Sequence, residues 1–145
     1  MREVIYCKNI NEAGNLYRIK VIPLIKERMD MFYYDKTHWS MCWIDAICEL
    51  MIEDKIPRIT IDKYKNALFE ENSKNMSAAR KIIYCKNMAE ADEKYHKKVF
   101  PLIYERMNRN YYREPLTHWS MVIIEAVYEL VQEGILPRLV ISRAN

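Results

Sequence analysis

The pentapeptide Thr37-His38-Trp39-Ser40-Met41 occurs a second time in the chain, and the sequence on both sides of it is repeated as well. Identical residues occupy 18 of the 31 pairs formed by aligning 4–34 with 82–112. They occupy 13 of the 25 pairs formed by aligning 37–61 with 117–141. Chance does not give this agreement, so the sequence predicts an internal tandem duplication.

The duplication divides the 145-residue chain into a first repeat (1–61), a connector (62–79) and a second repeat (80–145). The connector lacks glycine and proline and has apolar residues at helical spacing, so we predict that it is helical. A unit of about 60 residues is only marginally stable alone. We therefore expect one compact domain in which the repeats pack about a pseudo-two-fold axis, rather than two separate units.

The start of each repeat predicts a strand followed by a helix. β-Branched and aromatic residues at 4–7 and 82–85 indicate strands. Asn9 and Asn87 each stand three residues before a glutamate, which is the spacing of a capping box. Pro23 and Pro101 interrupt the helical pattern, and we expect one kinked helix that runs to about Tyr34 and Tyr112 rather than a split.

The repeated pentapeptide predicts the start of a second, largely apolar helix. Thr37 and Thr117 are the expected N-caps, which makes His38 and His118 the first helical residues. The polar ridge of this helix is acidic, and Arg28 of the preceding helix, like its counterpart Arg106, is expected to pair with it.

A second strand closes each repeat after Pro57-Arg58 and Pro137-Arg138. The unit is then strand–helix–helix–strand, and the predicted class is a helix-rich α+β fold. Four-residue apolar runs are hard to distinguish from helix ends by pattern, so an all-α fold is the alternative.

Composition excludes several classes of protein. The formal net charge is only +3, all of it carried by the second repeat, which is too little to assume a nucleic-acid footprint. No apolar run is long enough to span a membrane, and the N-terminus lacks a signal-peptide pattern. The four cysteines are accordingly expected to be reduced thiols, and the protein to be cytoplasmic.

Motifs for catalysis, metals and cofactors are incomplete. The three histidines lack metal-ligand spacing with cysteine or carboxylate in both repeats, so no metal or cofactor is predicted. Cys7 and Cys85 precede helix N-termini, where a thiol pKa can be lowered, and this leaves a thiol-dependent enzyme as an alternative. The simplest role for His38 and His118 is a hydrogen bond at the helix start, with packing beside the following tryptophan.

Aromatic and arginine residues shared by the repeats form the candidate binding site, because these types dominate protein interfaces. Packing in the helix corner is the competing interpretation. The predicted function is a non-catalytic regulator or inhibitor that binds another protein or complex through two pseudo-equivalent surfaces. The alternatives are a nucleic-acid-binding protein that uses the basic second repeat and, second, the thiol-dependent enzyme; the sequence leaves open whether the chain forms an oligomer. The candidate residues are Tyr33, Tyr34, His38, Trp39, Arg58, Tyr111, Tyr112, His118, Trp119 and Arg138.

Overall fold

A computed structural model describes residues 3–32, 38–61, 80–113 and 118–141; for 32 and 111–113 it describes the backbone alone. The predicted helical connector at 62–79 lies outside the described residues, as do Tyr33 and Tyr34. Along the chain the elements are β1 (Val4–Cys7), α1 (Ile10–Leu16), a first π-turn (Tyr17–Val21), α2 (Ile22–Phe32), α3 (Trp39–Ile52), β2 (Arg58–Ile61), β3 (Ile82–Cys85), α4 (Met88–Lys94), a second π-turn (Tyr95–Val99), α5 (Phe100–Arg113), α6 (Trp119–Gln132) and β4 (Arg138–Ile141).

The strands form two small parallel sheets, one in each half of the described chain. Strand β1 pairs with β2, with Val4 opposite Arg58, and β3 pairs with β4, with Ile82 opposite Arg138. Parallel neighbours need a long crossover, and the helices between the two strands of each half supply it. The predicted strands and the helix-rich α+β class are confirmed, and the all-α alternative is wrong.

The first long helix of each half begins at the predicted capping box. The Asn9 side chain accepts a hydrogen bond from the Glu12 amide at 2.9 Å, and the Glu12 carboxylate accepts one from the Lys8 amide at 2.7 Å. Asn87 repeats the arrangement, accepting from the Glu90 amide at 2.8 Å. These bonds satisfy amides that the helix itself leaves without partners.

Each proline is accommodated by a π-turn directly before it. The Ile22 amide donates to the Tyr17 carbonyl, five residues back, and the Phe100 amide donates to that of Tyr95. Ile22 keeps helical dihedral angles, φ −56° and ψ −44°, so the helix passes through Pro23 as predicted rather than splitting. The wider turn adds a residue to the helix without ending it.

The π-turn also changes which residues face the core. Ala13, Val21 and Ile25 are buried on the first long helix, and their separations are multiples of four residues. A regular period of 3.6 residues would continue from Val21 to Leu24, whereas the buried residues are Ile25 and its counterpart Ile103. A wide turn advances the phase by more residues per rotation, which accounts for the shift.

Helices α3 and α6 lie at the centre and pack on each other, while α2 packs on α3 and α5 on α6. The main cluster of buried apolar side chains draws residues from both halves, among them Met41, Ile44, Met121 and Ile124, which have no exposed surface. Within the described residues, no helix combines the length and apolar character needed to cross a membrane.

The predicted ion pairs between the two helices of each half are confirmed. Arg28 lies 2.6 Å from Glu49 and 2.9 Å from Glu53. Arg106 lies 2.9 Å from Glu129 and 2.8 Å from Glu133. One guanidinium therefore bridges two carboxylates a helical turn apart and fixes the packing of α2 on α3 or α5 on α6.

Helix α6 ends in a turn that contains a glycine. Gly134 adopts φ 73°, and the Ile135 amide returns to the Leu130 carbonyl at 3.0 Å. Helix α3 ends with the same bond pattern, but Asp54 occupies the left-handed position at φ 59°. Glycine adopts this conformation without steric cost, whereas aspartate does not.

Candidate functional site

His38 and His118 are the N-caps of the two central helices. Helix α3 begins at Trp39, and the amide of Ser40 donates to Nδ1 of His38 over 3.3 Å; Ser120 and His118 repeat this bond at the same distance. The prediction that Thr37 and Thr117 cap the helices is therefore wrong, although both threonines lie outside the described residues. An imidazole nitrogen here takes the place of the usual serine or asparagine oxygen.

The capping bond also fixes where each histidine carries its proton. Because Nδ1 accepts a hydrogen bond, it has no proton, and in the neutral ring the proton is on Nε2. Burial lowers the pKa of both rings, and for His38 the nearby Asp92 carboxylate acts in the opposite direction. Each neutral ring thus presents Nε2–H as a donor on the side away from its own helix.

Each histidine is covered by a tyrosine from the other half of the chain. The His38 ring stacks on Tyr95 with centroids 5.4 Å apart, and the His118 ring lies 5.7 Å from Tyr17. These tyrosines are the first residues of the two π-turns. The side chains leave His38 with no exposed surface and His118 with 3%. Contacts between the halves therefore form the interior of both sites.

The tryptophans that follow the histidines lie on the surface. Trp39 is 55% exposed and Trp119 is 63% exposed, while their rings contact the buried histidines at 5.4 and 5.6 Å. The competing interpretation, that these rings fill the corner between helices, does not fit such exposure. Each exposed indole is held against a buried, hydrogen-bonded ring.

One site extends into a longer row of rings. Phe100 lies 6.4 Å from Tyr95, and Tyr104 stacks on Phe100 at 6.1 Å. Their exposed fractions are 44% and 57%. Together with Trp39 and His38 these residues form what we call the aromatic row: Trp39, His38, Tyr95, Phe100 and Tyr104. Sequence reasoning missed Phe100 and Tyr104, because the aligned positions in the first half are Ile22 and Lys26.

The two sites differ most in the residue that faces Nε2 of the histidine. The Asp92 carboxylate lies 3.3 Å from Nε2 of His38, and its other oxygen lies 3.5 Å from His96. The residue aligned with Asp92 is Gly14. A Cβ atom on Gly14 would lie 3.6 Å from Nε2 of His118. The first site is thus occupied by a carboxylate of the chain, and the second has room in the same place.

The two predicted arginines do not join the aromatic residues at the helix starts. Arg58 is only 5% exposed and lies 4.0 Å from Glu125, so it is not available to a partner at the surface. Arg138 is partly exposed and lies 3.5 Å from Asp45, which also accepts from Arg80 at 2.8 Å. These pairs connect the halves at the middle of α3 and α6, about 10 Å along the helix from the histidines.

Four predicted tyrosines lie where the structure describes no side chain. Tyr33 and Tyr34 lie outside the described residues. Tyr111 and Tyr112 belong to α5, where the backbone alone is described. The predicted site is therefore represented by the histidines and tryptophans, with the arginines placed elsewhere.

The surroundings of the thiols oppose nucleophilic reactivity. Cys7 and Cys85 have almost no exposed surface, and burial raises the pKa of each instead of lowering it as predicted. Burial also raises the pKa of Cys48 to about 12. Because a thiol reacts as its thiolate, raised values oppose a nucleophilic role. In the described part of the chain, no group of three or more His, Cys, Asp or Glu side chains could hold a metal ion.

The basic residues of the second half are partly engaged within the fold. Lys97 lies 3.0 Å from Glu93, and Arg106 is held by its two glutamates.

Comparison with known protein families, curated proteins and solved structures finds no match. Function is therefore inferred from the geometry of the chain itself.

Proposed function

We propose that the protein is a non-catalytic regulator or inhibitor that binds another protein through two surfaces centred on Trp39 and Trp119. The observation that carries the proposal is that both indoles are exposed, Trp39 to 55% and Trp119 to 63%, while each of them packs against a buried histidine. An exposed tryptophan on a rigid support loses little conformational entropy on binding and buries a large apolar area. Such residues are the common anchors of protein interfaces.

The two surfaces are related by the proposed duplication. The repeated order of elements, the reciprocal His38–Tyr95 and His118–Tyr17 contacts and the shared core support one compact domain with a pseudo-two-fold axis. The surfaces differ in detail, because the aromatic row extends only the one at Trp39. We infer that this surface makes the larger apolar contact with the partner.

A cytoplasmic setting fits the chemistry of the chain. All four cysteines are buried, and none of them forms a disulfide. Unpaired thiols are usual in reducing compartments, and buried ones behave as small apolar side chains. Nucleic acid is the less favoured partner, because several basic side chains of the second half already pair with carboxylates.

Affinity capture from the native host tests the proposal. The bait is the full chain as wild type, as Trp39→Ala, as Trp119→Ala and as the double variant. Ile52→Ala is the matched control, because Ile52 is equally exposed at 55% but lies at the opposite end of α3. We expect a protein captured by wild type and Ile52→Ala to be lost with the double variant. Unchanged capture by the double variant would refute the proposal.

A salt series on the captured material separates the two kinds of partner. Binding through apolar rings changes little with salt, whereas phosphate binding weakens steeply as salt rises. Capture that disappears on nuclease treatment, or between 50 and 200 mM salt, would favour the nucleic-acid alternative. Capture that persists under both conditions supports a protein partner.

A further inference from the structure

The first histidine site indicates the kind of ligand that fits the second. His38 and His118 occupy aligned positions and share the cap bond, the covering tyrosine and the following tryptophan. At His38 the fold places a carboxylate 3.3 Å from Nε2. At His118 the aligned residue is Gly14, which has no side chain to offer.

The donor left at His118 belongs to a largely buried ring and is directed at this gap. The His118 side chain is 3% exposed, and its Nδ1 already accepts from Ser120, so Nε2 carries the proton. Among the described residues, none accepts a hydrogen bond from that Nε2–H. Its position 3.6 Å from the site of a Gly14 Cβ shows that it faces the empty place.

A second positive residue occupies the sequence position that corresponds to His96 of the filled site. In the filled site, the second oxygen of Asp92 is 3.5 Å from His96, one turn further along the helix. The residue aligned with His96 is Arg18, whose guanidinium now donates to Asn15 on the exposed side of the same helix. Arginine recognises carboxylate with two parallel N–H donors, so Arg18 suits this position better than histidine does.

The place is also open to solvent. The Asp92 side chain that fills the corresponding position is 47% exposed. Gly14 itself is only partly buried. The exposed ring of Trp119 lies beside the same histidine. A group carried by another molecule can therefore enter from the surface that the tryptophan occupies.

We propose that the gap between Gly14 and His118 binds a carboxylate, supplied by an acidic side chain of the partner that docks on Trp119. Nε2–H of His118 donates to one oxygen and the Arg18 guanidinium to the other. The partner thereby provides in the second site what Asp92 provides in the first. The source of the carboxylate rests on the proposed function, whereas the carboxylate site itself does not.

The test is a titration of the full-length protein with sodium acetate, followed by the Nε2 and ring-proton NMR signals of the histidines. Sodium chloride at equal ionic strength is the control. Two mirror variants are compared with wild type: Gly14→Asp, which supplies a carboxylate to His118, and Asp92→Gly, which removes the one at His38. Where Asp92→Gly fails to fold by circular dichroism, Asp92→Ala replaces it.

In wild type we expect saturable acetate shifts at His118 and none at His38. In Gly14→Asp the His118 signal should lie near its acetate-bound position before any addition, and its acetate affinity should fall at least about tenfold. In Asp92→Gly, His38 should gain an acetate response. The proposal is overturned by a His118 that responds no more to acetate than to chloride, or by a Gly14→Asp variant that keeps the wild-type response.

The source of the carboxylate is decided with two further probes. N-acetyl-aspartate N-methylamide represents an acidic side chain, and N-acetylglycine represents a chain terminus. Side-chain recognition requires the aspartate probe to bind at least as tightly as acetate and N-acetylglycine; tighter binding of either of the other two overturns that part. Acetate binding with capture unaffected by tryptophan removal would refute the proposed function alone, and the reverse result would refute the carboxylate site alone.

Discussion

Acid should destabilise this protein in a pH range where few groups titrate, because two histidines are buried in the neutral form. In the unfolded chain each imidazole takes up a proton near its ordinary pKa of 6.5, and burial holds the folded pKa of both below that value. Between the two pKa values the unfolded state binds more protons. The free energy of unfolding is therefore fully retained above pH 6.5 and falls as pH decreases toward the folded pKa.

The magnitude follows from proton linkage. Between pH 7 and pH 5.5, a histidine that stayed fully neutral in the fold would lower the free energy of unfolding by about 1.3 kcal/mol, and two by about 2.5 kcal/mol, which are the upper limits of the effect. That is a large part of a total stability of about 5 to 15 kcal/mol. Asp92 raises the pKa of His38 and has no counterpart at His118, so His118 should contribute the larger share.

Urea unfolding at pH 7.0, 6.5, 6.0 and 5.5 measures the effect. The variants are His38→Asn, His118→Asn and the double change, because asparagine keeps a capping acceptor and does not titrate. Hydrogen bonds from Arg28 and Arg106 hold the pKa values of Glu53 and Glu133 below 4.5, so these pairs are lost only at lower pH. Parallel loss of stability in wild type and the double variant would refute the reasoning.

Three further outcomes are expected. Gly134→Ala should lose about 1 kcal/mol of unfolding free energy in denaturant melts, because φ 73° disfavours a Cβ, and a loss below a few tenths would contradict this cause. Arg106→Met should cost about 2 to 4 kcal/mol and Arg28→Met less, because Glu129 is 23% exposed and Glu49 48%; equal losses would contradict a role for burial. Ellman's reagent at pH 8 should modify none of the four cysteines at the rate of an exposed thiol until the protein is unfolded, since all are buried; rapid modification of the folded protein would contradict their burial.

Signals that act over a few residues were sufficient to predict much of the fold. The capping boxes at Asn9 and Asn87 and the pairing of Arg28 and Arg106 depend on spacing within one helix or between adjacent helices. The strands followed from β-branched and aromatic composition. In each case the physical cause is local, so one sequence contains it.

The π-turns and the histidine caps were beyond local reasoning. A π-turn adds one residue to a helix and leaves no compositional trace, and it shifted the buried face from Leu24 to Ile25. Histidine is an unusual N-cap, and Thr37 offered the more common side chain one position earlier. The reason that His38 caps the helix becomes clear only from the residues of the other half that contact it, because its partner Asp92 is 54 positions away along the chain.

For the same reason, only some residues of the site could be predicted. His38, His118 and the two tryptophans were identified because they recur, but recurrence also selected Arg58 and Arg138, which serve contacts between the halves. The residues that distinguish the two sites, Asp92, Phe100 and Tyr104, do not recur. A search limited to shared residues therefore cannot find what makes the two sites different.

The difference between Asp92 and Gly14 is also a small one in the genetic code. Aspartate codons become glycine codons by a single change at the second base, and both residues occupy their helices without disturbing the buried ring behind them. One point mutation thus converts a histidine that is satisfied within the chain into one that depends on another molecule, or the reverse. The number of open sites can change within a lineage while the core and the helix starts stay as they are.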